Sequence, residues 1–245
     1  MDKTDLGNRM KAYEAVPQIK LTRRTPTIIR LDGKAFHTWT KQLRNYDPSL
    51  QESPYSDLMH EAMSKTAQHL VENIQNARFA YTQSDEISIL MNDWGKLTTD
   101  SWFDNKVQKI VSVAASMATA KFNLAATDQG NFTPTMALFD ARVWNIPVDE
   151  VANYFIWRQQ DATRNSINML GQFYFSHKQL QGKNVSEVQE MLFSKHDINW
   201  NNIPTWQKRG YCATRTGTDD DIPVFTKDRD YIERHLLTKE ELDDG

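Results

Sequence analysis

The amino-acid sequence predicts an α+β fold, in which helices pack against an antiparallel sheet of the split βαβ, or ferredoxin-like, type. Three observations support this prediction. Strand-like and helix-like segments follow one another in the order β–α–β–β–α–β–α. Two strand-like runs enclose the polar tetrapeptide 83–86, as in a β-hairpin. The segments that connect this hairpin to the outer strands both have apolar residues at helical spacing.

The first strand and the first long helix have clear local signals. Thr27–Gly33 is rich in β-branched residues and stops at a glycine, which is typical of a strand. Ser53 and Pro54 predict a helix start, with the serine as N-cap and the proline at the first helical position. The helix that follows has apolar residues three or four positions apart, namely Met59, Met63, Ala67, Leu70 and Ile74.

The later elements follow from the same patterns. Residues 79–82 and 87–90 are the strands of the hairpin, whose predicted turn lacks glycine. A second long helix starts near Lys106 and Lys109, and its apolar face comprises Val107, Ile110, Val111, Ala114, Met117, Ala118 and Phe122. Residues 137–145 are predicted as a strand and 149–176 as a long helix. Ser186 with Gln189 predicts a capping box for another helix.

Length and composition indicate how the chain is organised. The 245 residues suffice for one large domain with an appended arm, and no repeat or low-complexity linker interrupts them. We assign residues 1–215 to one domain with a C-terminal helical part. Residues 216–245 are assigned to an acidic C-terminal arm or tail, in which 216–221 is expected as a loop and 240–245 as a solvated or disordered end.

Composition also disfavours several classes of protein. The single cysteine, Cys212, excludes an intramolecular disulfide framework and a multi-cysteine metal site. The first residues contain no apolar signal-peptide core, and the least polar stretch, 111–120, is too short to cross a bilayer. We therefore expect a cytoplasmic protein without membrane contact. The net charge of −3 does not indicate a nucleic-acid-binding protein, although clustered lysines and arginines could still form a local basic face.

Three acidic residues lie where predicted strands end. Asp32 closes the first strand, and Asp85 and Glu86 lie at the hairpin tip. In a split βαβ sheet these strands are neighbours, so Asp32 and Asp85 are expected to meet. Gly33 lacks a Cβ and would let the chain approach an ion or phosphate closely. Two carboxylates without paired His or Cys favour magnesium and two-metal phosphoryl transfer. An ordinary turn and a solvated loop remain about equally well supported by these residues alone.

Four segments, in order, resemble signatures of the tRNA-His guanylyltransferase family and its bacterial, archaeal and phage relatives. Segment 30–37 (R-L-D-G-K-A-F-H) resembles the family's D-G-x-x-F-H, and 80–86 (A-Y-T-Q-S-D-E) resembles Y-x-Q-S-D-E. Trp157-Arg158-Gln159 with Asp161 is similar to a third signature. Segments 192–194 and 198–202, followed by Lys208-Arg209-Gly210, are similar to a fourth. The resemblance extends over residues 9–215.

The resemblance implies a palm-like catalytic core within residues 1–215 that extends RNA in the 3′-to-5′ direction. A nucleoside triphosphate activates the RNA 5′ end, and the 3′-hydroxyl of an incoming nucleotide attacks the activated phosphate. The implied catalytic residues are Asp32, Asp85 and Glu86, and the ligands of two Mg²⁺ ions are Asp32, the Gly33 carbonyl and Asp85.

The resemblance also implies contacts with substrates. The residues that the resemblance implies for binding GTP, ATP or another nucleoside triphosphate are Asp32, Gly33, Lys34, Ala35, Phe36, His37, Ser84 and Asp85. Lys106 and Lys109 are expected to bind the triphosphate for a different reason, since lysines at a helix start oppose the macrodipole, which favours a bound phosphate. His37 could instead simply cap the end of the strand. Arg158 and Asn165 are expected to bind RNA or a triphosphate; with Asp161 and Asn168 they share one helix face, which could equally be a solvated polar stripe.

Two departures from the family pattern bear on the substrate. Thr163-Arg164-Asn165-Ser166 stands where eukaryotic tRNA-His-specific members have H-I-N-N, and Phe139-Asp140-Ala141-Arg142 stands for F-D-G-R. Both resemble the bacterial-type relatives. The resemblance therefore favours template-directed repair of tRNA 5′ ends by a homotetramer. The alternatives are addition of a single guanylate to tRNA-His, a palm-fold nucleotidyl cyclase and a catalytically inactive RNA-binding module.

Overall fold

The computed structural model describes residues 4–96, 98–128 and 135–236. Its strands are β1 (Thr27–Gly33), β2 (Ala77–Gln83), β3 (Glu86–Met91), β4 (Phe139–Asn145), β5 (Tyr211–Thr214) and β6 (Gly217–Asp219). They form one antiparallel sheet in the order β4-β1-β3-β2-β5-β6. Because β3 lies between β1 and β2, the first four strands have the split βαβ arrangement. The predicted α+β fold is confirmed.

Helices cover both faces of the sheet. They are α1 (Asp5–Ala15), α2 (Phe36–Thr40), α3 (Ser49–Glu52), α4 (Asp57–Asn73), α5 (Val107–Thr127), α6 (Val151–Tyr174), α7 (His177–Leu180), α8 (Val185–His196), α9 (Thr205–Arg209) and α10 (Asp230–Glu233), with 3₁₀ turns at Lys41–Asn45, Trp102–Asn105, Val148–Glu150 and Trp200–Asn202. Helices α4 and α5 pack on one face, and α6 packs on the other.

The alternation of side chains along β1 separates two cores. Ile29 and Leu31 are fully buried in the core beneath α4 and α5, whereas Ile28 belongs to the core beneath α6. Successive residues of a strand point to opposite faces, so Arg30 and Asp32 lie on the α6 side with Ile28. The first strand therefore presents its polar residues to the face that α6 covers only in part.

Two predicted helix starts are wrong by two or three residues. The N-cap of α4 is Ser56, whose hydroxyl accepts a hydrogen bond from the Met59 amide at 3.0 Å. Ser53 ends the short helix α3 instead. For α8, the capping box is formed by Asn184 and Glu187. In both regions several capping residues follow one another closely, and packing of the helix decides which of them is used.

The region after residue 215 is more ordered than predicted. Gly217–Asp219, expected as a loop, forms the edge strand β6 beside β5. Ile222, Phe225 and Ile232 are buried in the α6-side core. Their spacing has no period of its own, and their packing partners are remote in sequence. The predicted tail 240–245 lies outside the described residues, and the division of the chain at residue 216 stays a prediction.

Helix α5 is longer than the apolar stretch 111–120 that the sequence suggested. By length and composition alone its 21 residues could cross a membrane. Ile110, Ala114, Ala118 and Phe122 are fully buried beside α4 and the sheet. In this fold the apolar character of α5 is that of a core helix.

The fold makes a specific prediction for Gly210, which precedes β5. Its φ is +79°, and an added Cβ would lie 2.4 Å from the Thr82 carbonyl oxygen. Gly182 also has a positive φ, +75°, but no atom lies within 4 Å of its Cβ position. Gly210→Ala should therefore lower the free energy of unfolding by about 3 kcal/mol or more, and Gly182→Ala by about 1 kcal/mol. Urea unfolding of both variants measures this, and equal losses would contradict the steric explanation.

Candidate active site

The predicted acids meet at one end of the sheet. In the antiparallel pairing of β1 with β3, Asp32 lies opposite Glu86, and the Gly33 amide donates to the Asp85 carbonyl oxygen at 3.1 Å. The expectation that the end of the first strand lies beside the hairpin tip is confirmed. Asp140 of β4 lies opposite Asp32 on its other side. One end of the sheet thus carries four acidic residues, three on adjacent strands and Asp85 in the turn between β2 and β3.

The hairpin turn is tighter than predicted. β2 extends to Gln83 and β3 begins at Glu86, which leaves only Ser84 and Asp85 in the turn. Ser84 has a φ of 48°, in the left-handed region that two-residue hairpins require. A serine in this region costs about 1–2 kcal/mol, which the two paired strands offset. The turn holds Asp85 directly beside the end of β1.

Asp85 is electrostatically disfavoured in its ionised form. Burial, and to a smaller extent the neighbouring Asp32 carboxylate, raise its pKa to about 6, while the hydrogen bonds from its own amide and the Ser84 hydroxyl act in the opposite direction. A cation between the two carboxylates would relieve this cost. In the described ranges no group of three or more His, Cys, Asp or Glu could hold a metal ion. The predicted set of two carboxylates and the Gly33 carbonyl therefore stays a prediction.

Glu86 has a different environment from the other acids. Its side chain is buried on the α6 side and accepts two hydrogen bonds from the Arg158 guanidinium, both of 2.7 Å. Burial raises the pKa of Glu86, and Arg158 opposes this shift. Arg158 also lies 3.3 Å from Asp161 and 4.6 Å from the Trp157 ring centre. The guanidinium compensates the buried Glu86 charge and fixes the orientation of its carboxylate.

Two residues on α6 were predicted to bind RNA or a triphosphate. Arg158 is only 6% exposed and is held by Glu86. Asn165 is exposed, and its amide donates to Asp161 at 3.3 Å. In this structure Arg158 is thus a positioning residue for Glu86, and its predicted contact with substrate stays a prediction.

The segment after β1 forms a compact loop into α2. Ala35 adopts a left-handed conformation with a φ of 56°. A Cβ on Gly33 would lie 2.3 Å from the Phe36 ring, which packs against Trp39, Phe122 and Phe139. Glycine is thus required here by the aromatic packing, a reason that differs from the predicted approach to an ion.

This loop presents backbone groups to the site. For the amides of residues 35–37, the described residues provide no hydrogen-bond acceptor. Lys34 and His37 are exposed, whereas the Phe36 side chain is buried. Of the predicted nucleotide-binding residues in this loop, Lys34 and His37 can reach a ligand with their side chains, and Phe36 only with its backbone.

Lys106 and Lys109 lie far from these residues. The start of α5 is held near residues 19–21, because the Val107 amide donates to the Ile19 carbonyl and Lys106 forms a bridge with Lys20. This is the end of the sheet where β1 begins, roughly 20 Å along the strand from Asp32. The structure does not bring the two lysines to the carboxylate site, and their predicted role would need a separate phosphate position.

Sequence reasoning missed Arg30 as a member of the site. It lies on the same face of β1 as Asp32, with its Nε 3.9 Å from a Glu86 carboxylate oxygen. That Nε is buried and has no hydrogen-bond partner among the described residues. Arg30 lies two residues before Asp32 in the same strand, and this spacing places both side chains on one face. The alternation could therefore have identified Arg30 from the sequence.

Comparisons with known proteins show which family the chain belongs to. A family model described as tRNAHis guanylyltransferase (Thg1) matches residues 7–147, more than half of the chain. A bacterial tRNA(HIS) guanylyltransferase (Thg1)-like protein solved in complex with ATP is 46% identical, with a TM-score of 0.87; the match covers 95% of this chain and 99% of that chain. A similar protein in complex with GTP is 42% identical, with a TM-score of 0.79, and the match covers 95% of this chain and 100% of that one. The tRNA(His) guanylyltransferase of Debaryomyces hansenii is 28% identical over 218 residues, which cover 80% of this chain and 77% of that protein.

The raised pKa of Asp85 predicts a pH-dependent stability. The folded-state pKa of Asp85 is about 6 and the ordinary value is 3.8, so the folded state binds the proton more tightly than the unfolded state. The contribution of the protonated side chain to stability is therefore complete below pH 4 and is lost as the pH rises through 6. Without divalent ions, Asp85→Asn should exceed the wild-type protein in free energy of unfolding by about 1–3 kcal/mol at pH 8, and the difference should vanish near pH 4. Urea unfolding at several pH values measures it. Asp149→Asn, at an exposed position, is the control, and a pH-independent difference for Asp85→Asn would refute the assignment.

The buried ion pair between Arg158 and Glu86 predicts a second effect on stability. Arg158→Ala leaves Glu86 buried without its partner and should cost about 3–5 kcal/mol of unfolding free energy. Arg164→Ala removes an exposed guanidinium from the same helix, also bound to Asp161, and should cost less than about 1 kcal/mol. Adding Glu86→Gln to Arg158→Ala should recover part of the loss. The explanation fails if the two arginine variants unfold at the same urea concentration.

Proposed function

Because this chain belongs to the tRNAHis guanylyltransferase (Thg1) family and is a nucleotidyltransferase, we propose that it repairs tRNA 5′ ends by template-directed addition in the 3′-to-5′ direction. The observation that carries the proposal is the 46% identity over 95% of the chain to a bacterial Thg1-like protein, against 28% to the guanylyltransferase of Debaryomyces hansenii. The proposal extends to a homotetramer in the cytoplasm.

The α6 segment 163–166 supports a broad choice of RNA. Arg164 stands where the tRNA-His-specific relatives have isoleucine, and its side chain is 62% exposed. It lies on the same helix as Arg158, about two turns beyond the contact with Glu86, and it binds Asp161 at 2.5 Å. A guanidinium binds phosphate without regard to base identity. The choice of nucleotide would then come from pairing with the opposite strand of the acceptor stem.

Two Mg²⁺ ions fit the residues at the end of β1. Asp32, Asp85 and the Gly33 carbonyl would hold them, since carboxylate and carbonyl oxygens are the ligands that Mg²⁺ prefers. Burial and, to a smaller extent, the neighbouring Asp32 carboxylate raise the pKa of Asp85, and a cation bound between the two carboxylates would stabilise the ionised form. When bound, such ions activate an attacking hydroxyl and stabilise a leaving oxygen. The negative charge of Glu86 is already compensated by Arg158. We therefore assign Glu86 the role of orienting groups around the site.

The loop between β1 and α2 would bind the triphosphate. The relatives of known structure were solved with ATP and with GTP, which supports nucleoside triphosphates as substrates here. Amides of residues 35–37 would donate to phosphate oxygens, and Lys34 and His37 would contact the nucleotide.

The proposed reaction has two transfers. In the first, an oxygen of the RNA 5′-phosphate attacks the α-phosphorus of the activating nucleotide, and pyrophosphate leaves. In the second, the 3′-hydroxyl of the incoming nucleotide loses its proton and attacks the activated 5′-phosphorus, and a nucleoside monophosphate leaves. The chain's residues hold both triphosphates and the RNA end in line, which is the main protein contribution to phosphoryl transfer.

Addition of a single guanylate to intact tRNA-His is the second candidate, favoured by the family match itself. The family match does not favour a nucleotidyl cyclase or an inactive RNA-binding module.

The two candidates differ in their substrate. Repair predicts that a tRNA lacking its first nucleotide is extended faster than intact tRNA-His, by about tenfold or more, equivalent to about 1.4 kcal/mol. The added nucleotide should match the opposing base when all four are offered singly. Rates on labelled 5′-monophosphorylated RNAs measure this, with Asp32→Asn as the inactive control and Asp149→Asn as the active one. Preferential addition of guanylate to intact tRNA-His, whatever the opposing base, would replace repair with guanylyltransfer.

A further inference from the structure

Three arginines and a histidine lie close together where β2 begins, and we call them the basic cluster. Arg78 is the second residue of β2, Arg215 follows directly on β5, and Arg234 and His235 follow directly on α10. The His235 ring stacks on that of Phe79, with the ring centres 4.8 Å apart. The cluster is at the opposite end of the sheet from the carboxylate site, about 17 Å along β2 from the far end of that strand.

A β-bulge sets the position of Arg78. The pairing of β2 with β3 shifts between Ala77 and Phe79, so Arg78 has no partner on β3. A bulge bends the strand and re-aims the side chain of its extra residue. One terminal nitrogen of Arg78 lies beside Gly95, 3.3 Å from where a Cβ on that glycine would be. The bulge therefore places a guanidinium at the rim of the sheet.

The positive charges of the basic cluster are not neutralised within the described chain. None of the ion pairs between described residues includes Arg78, Arg215 or Arg234. Burial and, to a smaller extent, the charge of Arg215 lower the pKa of Arg78. Burial, followed by the charges of Arg234 and Arg78, lowers the pKa of His235 to about 4. Neighbouring like charges destabilise each other, and a bound anion would relieve this repulsion.

The three arginines differ in how far the fold uses their donors. The Arg215 guanidinium donates to the Ile74 and Ala77 carbonyl oxygens, both at 3.4 Å, and so complements the C-terminal end of α4. The Arg234 guanidinium lies over the Tyr231 ring, 4.3 Å from its centre. The Arg78 side chain donates no hydrogen bond to any described residue. Arg78 and Arg234 therefore have donors available for a ligand.

We propose that the basic cluster binds phosphate groups of the RNA backbone, away from the 5′ end that reacts. A guanidinium binds phosphate in a bidentate manner and without regard to base identity, which suits contact with the backbone. Because the chain has a net charge of −3, its affinity for RNA must come from local concentrations of positive charge. Arg215 and Arg234 are exposed, so a polymer lying across the surface can reach them. The inference rests on the proposed function, from which it takes RNA as the ligand.

Binding measurements test the basic cluster separately from catalysis. Fluorescence anisotropy with labelled tRNA, without nucleotide or Mg²⁺, gives the affinity at several salt concentrations. Arg78→Ala and Arg234→Ala should each weaken binding about tenfold and lower the salt slope by about 1. Arg78→Lys retains the charge and should retain the wild-type slope. Arg229→Ala, beside α10 but already paired with Glu233, is the matched control and should leave the tRNA affinity unchanged.

The outcomes separate this inference from the proposed function. Unchanged tRNA affinity in Arg78→Ala and Arg234→Ala would overturn the inference alone, whereas a wild-type protein that binds no tRNA would overturn both. Calorimetric titration with inorganic pyrophosphate examines the other source of phosphate. Saturable pyrophosphate binding that Arg78→Ala abolishes, with tRNA affinity unchanged, would overturn the inference and assign the cluster to a free phosphate compound. Circular dichroism verifies that each variant is folded.

Discussion

The antiparallel pairing of β1 with β3 is the constraint on which the site depends. Both strands are internal, and the register places Asp32 opposite Glu86. A slip by one residue would turn Leu31 out of the α4–α5 core and put Asp32 into it. The buried leucine therefore secures the position of the carboxylate. The same pairing holds Asp85 beside Gly33 through a single backbone hydrogen bond.

The three acids of the site are separated by their electrostatic surroundings. Glu86 is buried but compensated by Arg158, whereas Asp85 is partly buried beside another carboxylate and has no cationic partner in the described chain. Uncompensated negative charge is therefore concentrated at Asp32 and Asp85. A divalent cation bound here would meet two carboxylates without a cationic partner, whereas the charge of Glu86 is already compensated by Arg158.

Packing at a distance determines the shape of the loop between β1 and α2. The Phe36 ring occupies the space beside Gly33 and joins an aromatic cluster with Trp39, Phe122 and Phe139, which come from α2, α5 and β4. The loop is thus held by three elements, and its free amides are kept in place before any ligand arrives. Such preorganisation lowers the entropy cost of binding a triphosphate.

The sequence by itself determined the α+β class, the order of the strands and the meeting of Asp32 with the hairpin tip, because alternation in strands and helical spacing are local patterns. The tertiary structure alone decided that Arg158 compensates Glu86, that Lys106 and Lys109 lie at the opposite end of the sheet, and that Phe225 belongs to the core. These facts depend on contacts between residues that are remote in the chain. Local patterns carry no information on which charges become buried together, since that is set by how the helices pack across the sheet.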